Sequence, residues 1–132
     1  MGLLDKIFKS SQDISKEGIV EVPWHPLTRL EQLDEIVKLS EKKTVVIFKH
    51  STRCGISRMV LRSFEKEFED EPEGAFRLYF LDLLSNRDIS DEIARRFDVR
   101  HESPQMLVIK GGKVVHHDSH HSIKAATLAE FV

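Results

Sequence analysis

The chain has 132 residues and a single cysteine, Cys54. A strand-like apolar stretch that ends at Phe48 leads towards it, and a helix-like stretch begins just after it, near Ile56. A thiol at such a junction lies at a helix N-terminus, where free backbone N–H groups and the helix dipole favour the thiolate. The pattern predicts a reactive cysteine rather than one buried as a small apolar residue.

Ser57 stands three residues after Cys54, at the position where a dithiol oxidoreductase has its second cysteine. A serine cannot displace a thiol that is bound to Cys54 as a mixed disulfide, so an outside thiol must do so. Two interpretations of Ser57 are open. Its hydroxyl donates a hydrogen bond to the thiolate, or it is a solvated serine in the first helical turn. Cys54 and Ser57 are the candidate catalytic residues.

Basic side chains lie close to Cys54 in the sequence: Lys49, His50, Arg53, Arg58 and Arg62. Positive charge near a cysteine stabilises its thiolate. His50 is a candidate assisting residue that could give or take a proton beside Cys54, and a solvated histidine at the strand end is the alternative.

Periodicity and composition predict helices over residues 28–40, 56–69, 88–97 and 122–132. They predict strands over residues 20–24, 44–49, 76–82, 105–110 and 113–117. Thr28 and Glu31 match a capping box, and Gly111-Gly112 matches a two-residue hairpin turn. Strands separated by helices imply parallel pairs, and the hairpin adds an antiparallel one. We therefore expect an α/β fold of thioredoxin-like type, a mixed central sheet flanked by helices in an α/β/α sandwich. Residues 1–20 are expected to be a leader, partly helical or disordered, before a single domain over residues 21–132.

Ser103 and Pro104 come immediately before a predicted strand. In thioredoxin-like proteins this is the place of a cis-proline that faces the cysteine, so we predict a cis bond here. The backbone before that proline would then be free to pair with an extended substrate segment.

Composition excludes several classes of function. A net charge of −2 gives no indication of a nucleic-acid partner, and no apolar run approaches the roughly 20 residues that span a bilayer. One cysteine permits no internal disulfide and fits a reducing cytoplasm. The histidine-rich stretch 116–121 is expected to be a polar surface turn, not a metal site. We expect no bound cofactor, no membrane contact and a monomer.

The run Phe48-Lys49-His50-Ser51-Thr52-Arg53-Cys54-Gly55-Ile56-Ser57 resembles the YtxJ-type monothiol bacilliredoxins, whose usual motif is Thr-x-Cys-Pro-Ile-Ser. The resemblance covers roughly residues 22–132 and includes Trp24, Ser103-Pro104 and the glycine hairpin. The chain departs from the motif at Gly55, where the family has a proline that stiffens the first helical turn.

The resemblance implies a thiol–disulfide oxidoreductase that removes bacillithiol from S-thiolated proteins, with Cys54 accepting the bacillithiol and a second bacillithiol or a reductase releasing it. Bacillithiol would be a co-substrate, and Arg53 and Arg58 would bind its malate carboxylates. Ser103 and Pro104 would bind the substrate. Two alternatives stay open: a glutaredoxin-like protein that acts on glutathione mixed disulfides, and a non-catalytic binding module that uses the groove between Cys54 and Pro104.

Overall fold

The computed structural model describes residues 22–132. Its strands are β1 (Trp24–Pro26), β2 (Thr44–His50), β3 (Phe76–Asp82), β4 (Gln105–Lys110) and β5 (Lys113–Ser119). Its α-helices are α1 (Glu31–Leu39), α2 (Gly55–Phe68) and α3 (Arg87–Phe97), and two 3₁₀ segments, His120–Ser122 and Ala125–Phe131, follow β5. In this part of the chain no helix has the length and the apolar content needed to cross a bilayer.

The strands form one mixed sheet in the order β1-β3-β2-β4-β5. β3 pairs in parallel with both β1 and β2, and β4 pairs antiparallel with both β2 and β5. The predicted mixed sheet is therefore confirmed. Its central strand, β2, ends four residues before Cys54, so the centre of the sheet positions the loop that carries the thiol.

Burial on both faces explains the uninterrupted apolar run of β2, because every residue of this strand is buried. Successive side chains alternate between the faces. Val45 and Ile47 belong to the core layer that includes α1 and α3, and Val46 and Phe48 belong to the layer that includes α2 and the 3₁₀ segments.

The glycine hairpin between β4 and β5 is as the sequence predicts. Gly111 and Gly112 have φ values of 60° and 78°, and a two-residue turn with two positive φ angles matches the twist of the flanking strands. The turn is held from the end of α1, since Gly111 N–H donates to the Ser40 carbonyl and Gly112 N–H donates to the Ser40 hydroxyl, each at 2.8 Å.

The first strand lies later than predicted. It covers Trp24–Pro26 and not residues 20–24, and Val22 is outside it. Within residues 22–132, β1 is an edge strand that pairs only with β3, and an edge strand tolerates proline because one side of its backbone needs no partner. The remainder of the predicted strand and the leader, residues 1–20, lie outside the described residues.

The predicted capping box at the start of α1 is wrong. The helix begins at Glu31 after Leu30, and no side chain caps it from that position. Instead the Gln32 side-chain carbonyl accepts the N–H groups of Thr28 and Arg29 at 2.8 and 2.9 Å. Gln32 performs the task that a capping box assigns to Glu31, because its side-chain oxygen accepts the backbone N–H of Thr28.

The C-terminal helix is also not the α-helix predicted over residues 122–132. It is divided into two 3₁₀ segments. Ala125 N–H donates to the Glu67 carboxylate at 2.8 Å, and the Phe131 carbonyl accepts the Thr44 hydroxyl. Because α2 and β2 hold the two ends of this stretch, it adopts the tighter i to i+3 turns.

Candidate active site

The strand register brings the candidate residues to one edge of the sheet. Lys49 on β2 pairs with Gln105 on β4, so one residue further along Pro104 comes opposite His50. The Ser103–Pro104 peptide bond is cis, as predicted. The loop that carries Cys54 therefore begins at the edge where the proline segment ends.

Cys54 is the residue that precedes α2, with backbone angles φ −106° and ψ 120°. It is a free, half-buried cysteine. Its N–H donates to the Ser51 carbonyl at 3.2 Å, and its carbonyl accepts the Arg58 N–H at 3.1 Å. The first turn of α2 carries no acidic residue. This is the predicted placement of a thiol at a helix N-terminus, where the free N–H groups favour a negative charge.

Ser57 is fully buried, at 0% exposure, so the interpretation of a solvated serine is wrong. Its hydroxyl accepts the Ser51 N–H at 3.1 Å and lies 2.8 Å from Nδ1 of His50. Within residues 22–132, these two groups and not Cys54 are its hydrogen-bond partners. The serine thus connects the loop before Cys54 to the end of β2, and the other interpretation, a hydrogen bond to Cys54, is not among the contacts of the described residues.

His50 is also buried, at 4% exposure, so it is not the solvated histidine of the alternative interpretation. Its ring lies against Phe80, with ring centroids 5.4 Å apart. Burial lowers the pKa of His50, the charge of Arg58 lowers it further, and Asp82 opposes the change. A neutral imidazole with its proton on Nε2 accepts a hydrogen bond from the Ser57 hydroxyl at Nδ1. The opposite tautomer reverses this bond and frees the hydroxyl proton for another acceptor.

The predicted basic cluster is only partly assembled around Cys54. Arg58 extends back over the start of α2, and its guanidinium donates to the Thr52 carbonyl at 3.0 Å. Arg53 is exposed beside Cys54, and Arg62 is exposed on α2. Lys49 does not join them, because its ammonium group lies against α3, near Ser90 and His101. Because side chains alternate between the two faces along β2, Lys49 lies on the same face as Ile47 and on the opposite face from Phe48.

Pro104 is buried, and Ser103 is half-buried. The Ser103 hydroxyl oxygen is enclosed and has no hydrogen-bond partner in the described part of the chain. The Pro104 carbonyl accepts the His120 N–H at 3.0 Å, and the side-chain amide of Gln105 donates to the Arg100 carbonyl at 2.9 Å. Sequence reasoning missed Gln105 and His101. One signal was available, because Lys49 is a lysine within an otherwise apolar strand, and both missed residues lie beside it.

Gly55 is the first residue of α2. Its φ is not positive, and among the described residues a Cβ added to it would meet only the Arg58 guanidinium, at 3.9 Å. Nothing in the backbone therefore requires glycine at this position. Across residues 22–132 no cluster of three or more His, Cys, Asp or Glu side chains could hold a metal ion. In the histidine-rich stretch, His116 pairs with Asp118 at 2.6 Å.

Comparison with known proteins agrees with this geometry. The family model described as Monothiol bacilliredoxin BrxC matches residues 25–128. The chain belongs to the monothiol bacilliredoxin family. A solved structure with a thioredoxin fold is 32% identical, with a TM-score of 0.68, and the match covers 81% of this chain and 91% of that one.

Two thioredoxins show the same fold at lower identity. The Malassezia sympodialis thioredoxin is 20% identical with a TM-score of 0.64, covering 86% of this chain and 90% of that one. The Fasciola hepatica thioredoxin is 19% identical with a TM-score of 0.61, covering 81% and 94%. The thioredoxin-like fold is confirmed, and family membership makes the protein a thiol–disulfide oxidoreductase.

Proposed function

We propose that this protein removes bacillithiol from protein–bacillithiol mixed disulfides. The Cys54 thiolate attacks the bacillithiol sulfur, and a Cys54–bacillithiol disulfide forms as the original disulfide breaks. The client sulfur leaves as a thiolate and takes a proton from water. The client is thereby reduced and Cys54 is oxidised, with no change in the total number of disulfides.

The observation that carries this proposal is the pair of residues at the start of α2. Cys54 is the only cysteine in the sequence, and the position of a second thiol is filled by the buried Ser57. An internal disulfide cannot form, so the mixed disulfide remains until an outside thiolate attacks it. A second bacillithiol that attacks the bound bacillithiol sulfur would release the Cys54 thiolate and leave bacillithiol disulfide as product.

The charge around Cys54 supports an anionic thiol as co-substrate. Bacillithiol carries the carboxylates of a malate group, and the guanidinium groups of Arg53 and Arg58 suit such anions. The helix N-terminus adds N–H groups that favour negative charge, and the first turn of α2 has no acidic residue to oppose it. Ser103 and Pro104 lie at the adjoining edge, where an extended client segment could pair with the backbone.

The test is adduct formation followed by transfer. Reduced protein exposed to bacillithiol disulfide should gain the mass of one bacillithiol, and Cys54→Ser should gain none. The wild type should also remove bacillithiol from a thiolated model protein and carry the adduct itself. A Cys54 that stays unmodified under these conditions contradicts the proposal. Faster reaction with glutathione disulfide in a parallel assay would identify the glutaredoxin-like alternative.

The same variant separates catalysis from binding. A non-catalytic binding module would keep its partner and its cellular role after Cys54→Ser, because a hydroxyl is nearly the size of a thiol. A thiol-transfer protein would lose its activity with the sulfur. Complementation of a deletion strain by Cys54→Ser would therefore favour the binding module and contradict the proposal.

A further inference from the structure

Lys49 is a buried cation that the reaction at Cys54 does not use. The residue is fully buried, at 0% exposure, in the sheet's central strand. Its ammonium nitrogen lies 3.3 Å from the Ser90 carbonyl oxygen and 3.2 Å from Nδ1 of His101. The Ser90 hydroxyl lies 3.2 Å from the same Nδ1. Among residues 22–132 no carboxylate forms an ion pair with Lys49.

A buried ammonium group without a carboxylate partner lowers the stability of a fold. Removing an ammonium from water is costly unless a partner compensates for the lost hydration. Burial accordingly lowers the pKa of Lys49 to about 8, and the more distant Asp91 only partly opposes this. An unbranched apolar side chain of similar length would fill the same space without that cost. The contribution of Lys49 must therefore be sought in something other than stability.

The partners of Lys49 connect three parts of the site. Lys49 is on β2, five residues before Cys54, and Ser90 is on α3. His101 is in the segment between α3 and β4, three residues before Pro104. Gln105, which pairs with Lys49 in the sheet, holds the carbonyl of Arg100 in the same segment. The residues just before Ser103 and Pro104 are thus tied to the strand that leads to Cys54.

The protonation states agree with this arrangement. The Lys49 ammonium can only donate, so Nδ1 of His101 must act as the acceptor in their contact. His101 is exposed overall, but partial burial of its ring, followed by the charge of Lys49, lowers its pKa, and Asp91 and Glu102 oppose the change while Arg87 adds to it. The imidazole therefore stays neutral and keeps Nδ1 free to accept.

We propose that Lys49 and His101 are positioning residues for thiol–disulfide exchange, because their contact fixes the segment that presents Ser103 and Pro104 to a protein substrate. The proposal rests on the oxidoreductase activity of the family. It does not depend on which low-molecular-weight thiol the substrate carries.

The test compares Lys49→Met, His101→Leu and the double variant with wild type, and uses Lys113→Met, on the exposed side of β5, as the matched control. The substrate is a model protein thiolated with bacillithiol or glutathione, whichever the wild type reduces faster. Failure of the bacillithiol assignment therefore leaves this comparison intact. We expect each single variant to raise KM about fivefold, the effect of one hydrogen bond. We expect kcat to change less.

Two further measurements exclude a purely structural role. The alkylation rate of Cys54 by iodoacetamide should stay within about twofold of wild type, and the melting temperature of Lys49→Met should equal or exceed that of wild type. The double variant should be no worse than either single variant, since both break one contact. His101 lies at the surface, so His101→Leu keeps the test valid if Lys49→Met does not fold.

Unchanged KM in His101→Leu would overturn the proposal. Additive effects in the double variant would do so as well. A fall in alkylation rate that matches the loss of activity would show that Lys49 acts on the thiolate through its charge, and this result also contradicts the positioning role.

Discussion

The Ser57 hydroxyl lies 2.8 Å from Nδ1 of His50, and both side chains are buried beneath the loop that carries Cys54. The residue that replaces a resolving thiol is therefore part of a polar pair that joins α2 to the end of β2. The same hydroxyl accepts the Ser51 N–H at 3.1 Å. Ser57 thus supports the Cys54 loop from below, and this structural role is separate from any contact with the sulfur.

Ser57→Ala should lower the free energy of unfolding by about 1–3 kcal/mol, because it leaves the buried Nδ1 of His50 and the Ser51 N–H without a partner. Urea denaturation monitored by circular dichroism measures the change. Ser63→Ala is the matched control, since Ser63 is an exposed serine in the same helix, and it should change stability by less than about 0.5 kcal/mol. Equal effects of the two substitutions would contradict the role assigned to the Ser57–His50 pair.

Ser57→Cys should convert the site to dithiol chemistry. After bacillithiol has bound to Cys54, the new thiolate can attack the Cys54 sulfur, release bacillithiol and leave an internal disulfide. Mass spectrometry should find the wild type with one bacillithiol, and the variant without it and lacking two hydrogens. A persistent adduct on Ser57→Cys would mean that a side chain at this position cannot reach the sulfur.

Much of the fold could be predicted from the sequence because its signals are local. A run of β-branched and aromatic residues marks β2, and two adjacent glycines mark the hairpin. The strands β3 and β4 have the predicted limits. One error lies where distant partners decide the conformation, since Glu67 and Thr44 hold the C-terminal 3₁₀ segments. Another is local, because the side chain of Gln32, and not that of Glu31, accepts the Thr28 N–H.

The candidate site, like the fold, was predictable where its signals are local in the sequence. Cys54 and the cis bond before Pro104 follow from short motifs in the sequence. The contacts of Ser57 and Lys49 do not, because spacing along the chain says nothing about which face of the sheet a polar group meets or what lies there. The sequence placed Lys49 beside Cys54, and pleating turns it to the opposite layer, where Ser90 and His101 lie.

Gly55→Pro should stabilise the protein by about 0.4–1 kcal/mol, because proline restricts the unfolded chain and its ring suits the first position of a helix. The preceding residue, Cys54, has φ −106° and ψ 120°, which a following proline permits. Thermal denaturation measures the change.

Gly111→Pro is the matched control for Gly55→Pro. Gly111 has a φ of 60° and its N–H donates to the Ser40 carbonyl. Proline cannot reproduce either feature, so this substitution should destabilise the fold. A loss of stability in Gly55→Pro comparable to that of the control would show that the start of α2 differs from the geometry described above.

The stability of the protein should depend on pH through Lys49. Burial lowers the pKa of this ammonium from 10.5 to about 8 in the folded protein. Between pH 8 and pH 10.5 the unfolded chain therefore keeps a proton that the folded protein has lost. The resulting penalty on the fold is full below about pH 8 and fades as the pH rises to 10.5. The stability of wild type relative to Lys49→Met should therefore increase over this range, by up to roughly 3 kcal/mol. A difference that stays constant from pH 7 to 10.5 would contradict the lowered pKa.

Arg58→Gln should slow the reaction of Cys54 with bacillithiol disulfide about two- to fivefold, the effect of one exposed charge contact. Its guanidinium extends back over the start of α2 and donates to the Thr52 carbonyl, whereas Arg62 is exposed one turn further along the helix. Arg62→Gln should therefore have a smaller effect.

Bis(hydroxyethyl) disulfide, which is neutral, separates recognition of the anion from a change in the thiol. Its reaction rate with Cys54 should fall little in Arg58→Gln. Added salt should shrink the difference between wild type and Arg58→Gln for bacillithiol disulfide, since exposed charges are screened within about 10 Å at 0.1 M salt. An equal loss with both disulfides would mean that Arg58 shapes the loop of Cys54 and does not bind the carboxylates.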